Sequence, residues 1–514
     1  MKPLFWVVVV STIVAATAQL WFYQNDLTLA YSDAISHLNI ARRVLDSRTP
    51  GLAQFGTVWL PVPHILMQPF IQIDFLWHTG LAGSIVGFFS FLATSVTLFL
   101  SIRLITKHQI AAWIGLAAFI SNPNVLYLQC TALTEPVLSA SMTASSYFLL
   151  RWSLQSTYKD LLWSGFLAIL AVGSRYDGWF YSFASAAVVS LTAYLDTRSP
   201  VKTEGITIAY LVLPVYAMFM WLFYNWLIYG DALEFARGEF SAAYQQEQAL
   251  KAGALYTKHN ILLSISTYGW AAIDNIGWAG SILASVGVVV YALTTRFRGN
   301  SLATYVFLSA LPFNIISLWL GHSTLATPHS EPAGYFNIRY GSILIPGAAL
   351  FIAYLADQAM TLGKQKIVAA AIGLALAFQA ALWIPGWPLS IATVTDGLAG
   401  SSAKSAPIEG ATYLREYYDG GGILIDDTFS QFIFEARVKF HEYIGTFSGN
   451  LWKEALKNPS AYVQWVVMHP ESPDDRVARE IDKAELTSHF DPVFQDDGLS
   501  IYRAKNPDAS LDGE

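Results

Sequence analysis

The sequence predicts a polytopic α-helical membrane protein with a small extracytoplasmic α/β domain at its C-terminal end. Three observations carry this. Hydrophobic residues make up 54% of the 514, and charged residues only 13%, too few to cover a soluble chain of that length. The apolar residues come in long runs, as a bilayer solvent requires. Charge is also divided along the chain. Residues 390–514 hold 11 Lys and Arg against 21 Asp and Glu, a balance of −10, while residues 1–389 hold 19 against 16, a balance of +3. The domains expected are therefore a membrane domain over 1–389, with external amphipathic helices in 24–76, and a soluble domain over 390–514.

The apolar spans fall near 4–23, 77–100, 110–128, 132–150, 161–174, 179–195, 206–229, 276–293, 302–320, 342–356 and 367–384. They predict about 11 crossings, most of them near the roughly 20 residues a bilayer needs, with the fifth and tenth shorter. One set of loops holds Lys2, Arg103, Lys107, Arg151, Lys159, Arg198, Lys202, Arg296, Arg298, Lys364 and Lys366. Short loops rich in Lys and Arg face the cytoplasm. The N-terminus is then inside the inner (cytoplasmic) membrane, and an odd number of crossings leaves the C-terminal domain outside. Ala16-Thr17-Ala18 also resembles a signal-peptidase site. The apolar run continues through Leu20, Trp21, Phe22 and Tyr23, an interfacial aromatic cluster that favours a retained helix.

The external segments are 24–76, 129–131, 175–178, 230–275, 321–341 and the tail. Of the 16 acids before residue 390, 12 fall outside, so the polar chemistry sits on one face. YSDAISHLNIARRVLDS (31–47) reads as an amphipathic helix at the membrane surface, with Asp33 near its start and His37 one turn on. Asp33 is either a helix cap or a catalytic carboxylate. In TPGLAQFGTVWLPVPHILMQPF (49–70), Trp59, Pro61, Pro63 and His64 form a rigid aromatic wall, either a carbohydrate or prenyl surface or an interfacial belt. Glu135 in TEPVL stands at the outer end of a membrane helix, where a carboxylate is costly without water, a partner or a substrate. Arg175 and Asp177 in SRYDG occupy another outer end and can pair. Arg339 in IRYGSILIP, between Tyr335 and Tyr340, offers a planar fork that fits phosphate, or an interfacial anchor. GGILIDD, TFSQFIFEAR and YVQWVVMHP read as strand, helix, strand. DDRVAREIDKA reads as helix, and LTSHFDPVFQDDGLSIYRA as a closing hairpin. Asp426 and Asp427 read as solvated strand-end acids.

No CxxC, HExxH or Walker motif is present, and the single Cys130 excludes an internal disulfide. No basic face points to nucleic acid.

DAISHLNIARRVLD, LPVPHIL, TEPVL, SRYDG and IRYGSILIP, in that order, resemble the pattern of GT-C glycosyltransferases. The nearest group is family 39, which holds protein O-mannosyltransferases and lipid A aminoarabinose transferases. The resemblance spans roughly 1–390. It implies transfer of a sugar from a polyprenyl-phosphate donor to a glycan, lipid or protein acceptor outside the cytoplasmic membrane. It further implies Asp33 as catalytic acid, Glu135 as a second acid, and Arg339 as a donor-phosphate ligand. Two positions depart from the pattern. Ala34 stands where the family often has a second acid, and Trp59-Leu60 where the aminoarabinose enzymes have a lysine. Arg175 or His64 would then substitute at the phosphate, beside Tyr340. His37, Trp59, His64 and Asp177 are the expected substrate contacts. No cofactor is required, although Asp33 and Glu135 could share a divalent cation. The rival reading is a secondary transporter or lipid flippase. Such proteins carry repeated halves and polar groups near the midplane, and neither is seen here.

Overall fold

The computed structural model describes residues 2–238, 241–251, 256–363, 365–402, 406–472, 475–496 and 498–506. Lys364, Asp474 and Asp497, together with 239–240 and 252–255 of the external segment 230–275, lie outside these residues. The chain divides into two compact units. One comprises Met1–Thr28, Thr57–Pro63 and Ser84–Ala399, the other Leu29–Gly56, His64–Gly83 and Gly400–Glu514.

The first unit is helical. Seven helices are long and apolar enough to cross a membrane: Pro3–Gln24, Leu81–Ile105, Asp177–Thr197, Pro200–Tyr229, Trp278–Thr295, Ile338–Met360 and Lys366–Trp383. An eighth results if Gly299–Leu308 and Ala310–Leu320, bent by 52°, count as one span. Phe219, Phe223, Trp226, Leu374 and Phe378 on these helices are exposed, which suits a lipid solvent. The chain is a multi-pass membrane protein.

Eleven crossings were expected, and the other three segments are helical but do not pass the same test. Gln109–Ile120 is followed by a break and the short Pro123–Leu128 helix. Tyr158–Val172 has 15 residues. Glu135–Gln155 is long enough but rich in Ser and Thr, and most of those are buried. These two helices are joined by a reciprocal pair of bonds. Ser145 Oγ donates to the Ser164 carbonyl at 2.8 Å, and Ser164 Oγ returns the bond at 2.9 Å. Helices packed on helices can use such bonds, so their apolar signal is weak. The Leu81–Ile105 helix starts later than expected, because Asp74–His78 forms a separate short helix.

The second unit carries a five-stranded sheet of order β2-β1-β3-β5-β4. The strands are β1 (Ile423–Leu424), β2 (Tyr443–Ile444), β3 (Trp465–Met468), β4 (Phe490–Asp496) and β5 (Leu499–Ala504). β1 runs parallel to β2 and β3, and β5 is antiparallel to β3 and β4. The expected strand–helix–strand order and closing hairpin are present, with β2 as an unforeseen edge.

Asp426 corrects one expectation. It is fully buried, not solvated. Arg476 grips both its oxygens, Nε to Oδ2 at 2.8 Å and Nη2 to Oδ1 at 3.0 Å. Burial works to raise the Asp426 carboxyl, but the Arg476 bonds outweigh it and hold the group below its ordinary range.

Candidate active site

Four charged side chains converge in the first unit. Glu135 is the first residue of its helix, with Pro136 behind it. A carboxylate there faces the positive end of the helix dipole. Its Oε1 accepts from Arg175 Nη1 at 2.9 Å and from Arg339 Nε at 2.9 Å. Arg175 Nε also donates to Asp177 Oδ2 at 3.2 Å. Glu135, Asp177 and Arg339 are buried. Burial works against the Arg175 charge, while Asp177 and Glu135 more than offset it, so the guanidinium stays firmly protonated. The two guanidinium carbons lie 4.5 Å (Arg175) and 5.5 Å (Arg339) from the Tyr340 ring centroid. An interfacial Arg snorkelling among headgroups would not be buried or paired this way. Arg339 is instead part of the interior.

The backbone around Arg339 is tied on both sides. Asp396 Oδ2 accepts from the Ile338 amide at 3.0 Å, and Asn275 Nδ2 donates to the Ile338 carbonyl at 2.7 Å. Tyr268 donates to the Tyr340 carbonyl at 3.2 Å. Gly341 completes the fit, since a Cβ there would stand 2.3 Å from the Ala271 carbonyl oxygen. Only a residue without a side chain lets the turn press on the Ile261–Ile276 helix. Gly178 does the same for the Arg175 corner, where a Cβ would meet Ala171. That corner also receives the segment bearing Trp59. Val62 donates its amide to the Gly173 carbonyl at 2.9 Å, and Tyr176 its hydroxyl to the Val58 carbonyl at 3.0 Å.

Asp33, His37 and His64 belong to the second unit. Tyr31 holds the N-cap position of the Ser32–Arg43 helix, and Asp33 stands in the first turn. His37 and His64 are both buried, with Nδ1 of the first 2.9 Å from Nε2 of the second. His64 lies in a helix, Val62–Ile71, where a Pro-rich wall was expected. The Ser32–Arg43 helix is also more buried than a surface amphipathic helix would be. Arg42 is enclosed, bonded to Asp46 and Asp74 at 2.8 Å each and to the Ile71 carbonyl at 3.1 Å. Asn39 donates to the Ser430 carbonyl at 2.8 Å and accepts from Trp77 Nε1 at 3.2 Å.

Asp396, Asn275 and Tyr268 were not foreseen. Asp396 had a usable signal, as an isolated acid within the uncharged run IATVTDGLAGSS. Among the described residues, no three or more His, Cys, Asp or Glu side chains are placed to hold a metal ion.

Helices that carry acids and arginines at their ends, with a small α/β unit from the C-terminal region, give this chain a fold similar to that of solved GT-C glycosyltransferases. Two solved structures illustrate the likeness. ArnT from Cupriavidus metallidurans bound to undecaprenyl phosphate is 13% identical with a TM-score of 0.55, covering 95% of this chain and 97% of that one. The oligosaccharyltransferase of Archaeoglobus fulgidus in the apo form is 12% identical with a TM-score of 0.52, covering 91% and 70%. No family model and no curated protein sequence matches the chain.

Proposed function

We propose that the protein is an integral-membrane glycosyltransferase. It moves a sugar from a polyprenyl-phosphate donor to an acceptor hydroxyl on the outer face of the cytoplasmic membrane, with the N-terminus inside. The observation that carries this is the convergence of Arg175 and Arg339 on Glu135. Two guanidinium groups fixed over one tyrosine ring suit a lipid phosphate. The solved ArnT holds undecaprenyl phosphate, a lipid of the kind expected here. The charges stand at helix ends: Glu135 and Asp177 each open a helix, and Arg339 is the second residue of the span Ile338–Met360. A transporter would need them further into the spans.

In this reading the acceptor oxygen attacks the anomeric carbon while the bond from that carbon to the phosphate oxygen breaks. The bonding pair leaves with the phosphate, and the acceptor's proton goes to a base. A prenyl phosphate is a good leaving group, so a base and positive charge suffice. Arg339 and Arg175 receive the growing phosphate charge. Asp33 takes the proton, as the family resemblance implies. The buried His37–His64 pair joins the Ser32–Arg43 helix, which bears Asp33, to the Val62–Ile71 helix. Trp59 and Asp177 contact substrate. Incubating membranes with radiolabelled prenyl-phosphate sugars and following the label tests this. Transfer to an acceptor supports it, and label that stays on the lipid in every donor tried refutes it.

A further inference from the structure

The guanidinium groups around Glu135 are already paired with carboxylates. Arg175 and Arg339 supply two positive charges, Glu135 and Asp177 two negative ones, all held by bonds of 2.9 to 3.2 Å. A phosphate that takes up the guanidinium groups therefore has to compete with these carboxylates. Glu135 is the group in its way, since its Oε1 binds both arginines. The other oxygen, Oε2, makes no hydrogen bond among the described residues. Glu135 also lines a cavity of ≈ 30 Å³ with Gln129, Ser139 and Ser342, room enough for water beside it. The carboxylate is thus anchored to the arginines through one oxygen only, and its residue lines a small cavity.

We propose that Glu135 is an internal counter-ion that competes with the lipid phosphate for Arg175 and Arg339. This rests on the reading of the arginines as phosphate ligands. The empty site is closed by Glu135. The donor, a phosphodiester with one negative charge, displaces it from the arginines. Transfer leaves a prenyl phosphate monoester with ~1.5–2 negative charges at neutral pH, which the arginines alone would grip more tightly than the donor. Glu135 competes for the same two arginines in that complex, which weakens their hold on the product and lets it leave. Its role is then to set the balance between donor capture and product release.

The test is binding of a polyprenyl phosphate monoester to the full-length protein in nanodiscs, with the uncharged polyprenol as control. Glu135→Gln keeps the shape and removes the charge. The expected result is about tenfold or greater tightening for the phosphate, because a buried charge left unpaired gains most from a new partner, with polyprenol binding unchanged. Turnover should slow through product inhibition, seen as a burst of transfer followed by a slower steady rate. Glu135→Asp, whose shorter stem cannot hold both arginines equally, should fall between the two, and it serves if the glutamine variant does not fold. Arg339→Ala separates the two ideas. If it weakens phosphate binding but Glu135→Gln and Glu135→Asp bind equally or more weakly than the native protein, Glu135 only scaffolds the arginines and the counter-ion proposal fails. If Arg339→Ala leaves binding unchanged, the phosphate does not sit there and both readings fail.

Discussion

Arg339 reaches Glu135 across 204 positions of sequence, Nε to Oε1 at 2.9 Å, and so links the turn entering a late membrane helix to the first residue of an early one. The bond is buried at both ends. Its energetic meaning is asymmetric: removing one partner strands the other charge.

Arg339→Ala should lose donor binding. One charge-assisted hydrogen bond accounts for roughly 1.5–3 kcal/mol. Arg339→Lys should recover part of that, because a point charge replaces a planar fork. Affinity for a prenyl-phosphate sugar, measured beside the thermal stability of each variant, checks this. Unchanged donor affinity in a folded alanine variant would leave Arg339 a structural anchor.

The orientation rests on Lys and Arg in the short loops. A reporter fused after residue 390 should be active outside the cytoplasm, and one inserted at 296–300 active inside. The opposite pattern would reverse the topology and move the acids and arginines to the wrong face.

Arg476→Ala should destabilise the second unit by about 3–5 kcal/mol, since it leaves a buried carboxylate without its partner. Asp426 also accepts the Arg476 and Thr428 amides, so the loss is a stability effect at the end of β1. Chemical denaturation followed by tryptophan fluorescence measures it. A loss under about 1 kcal/mol would show that solvent replaces the pair, as at exposed sites.

His78 predicts a pH dependence. Burial, then the nearby Arg437, pushes its imidazole from 6.5 down to about 4. The ring stacks on Trp77 with centroids 4.2 Å apart. Between about 4 and 6.5 the unfolded chain binds a proton here that the folded chain does not. Stability should therefore rise with pH across that window, by this group's contribution. His78→Gln should flatten the profile there. An identical slope in the variant would assign the effect to other groups.

The helices and the hairpin of the sheet were legible because their signals are local: apolar runs, and alternation around a turn. Glu135–Gln155 was legible as a helix, yet its serines bond to a neighbouring helix and so blur the apolar signal of a crossing. The candidate site was half legible. Glu135, Arg175, Asp177 and Arg339 could be picked out because charge at a membrane helix end is expensive. The convergence of the two arginines on one Glu135 oxygen could not, because no local pattern encodes a contact between positions 135 and 339. The same limit hid Asp396, whose work is done on the backbone of Ile338. Asp426 misled for a related reason. A strand-end acid looks solvated until Arg476, 50 positions on, is seen to cover it.

Asp33 offers the sharpest separation between a structural and a catalytic role. It lies in the first turn of the Ser32–Arg43 helix, behind the N-cap Tyr31, which makes no side-chain capping bond. A carboxylate there favours the helix through the dipole. Asp33→Asn keeps the size and much of the local hydrogen bonding but removes the base. If Asp33 takes the acceptor's proton, the variant should remain folded and bind donor, while transfer falls by a factor on the order of 10²–10⁴. If its role is the helix alone, Asn should transfer nearly normally, and Ala should lose about 0.3–1 kcal/mol of stability. Transfer and thermal unfolding measured on both variants distinguish the two. Normal turnover by Asp33→Asn would remove Asp33 as the base.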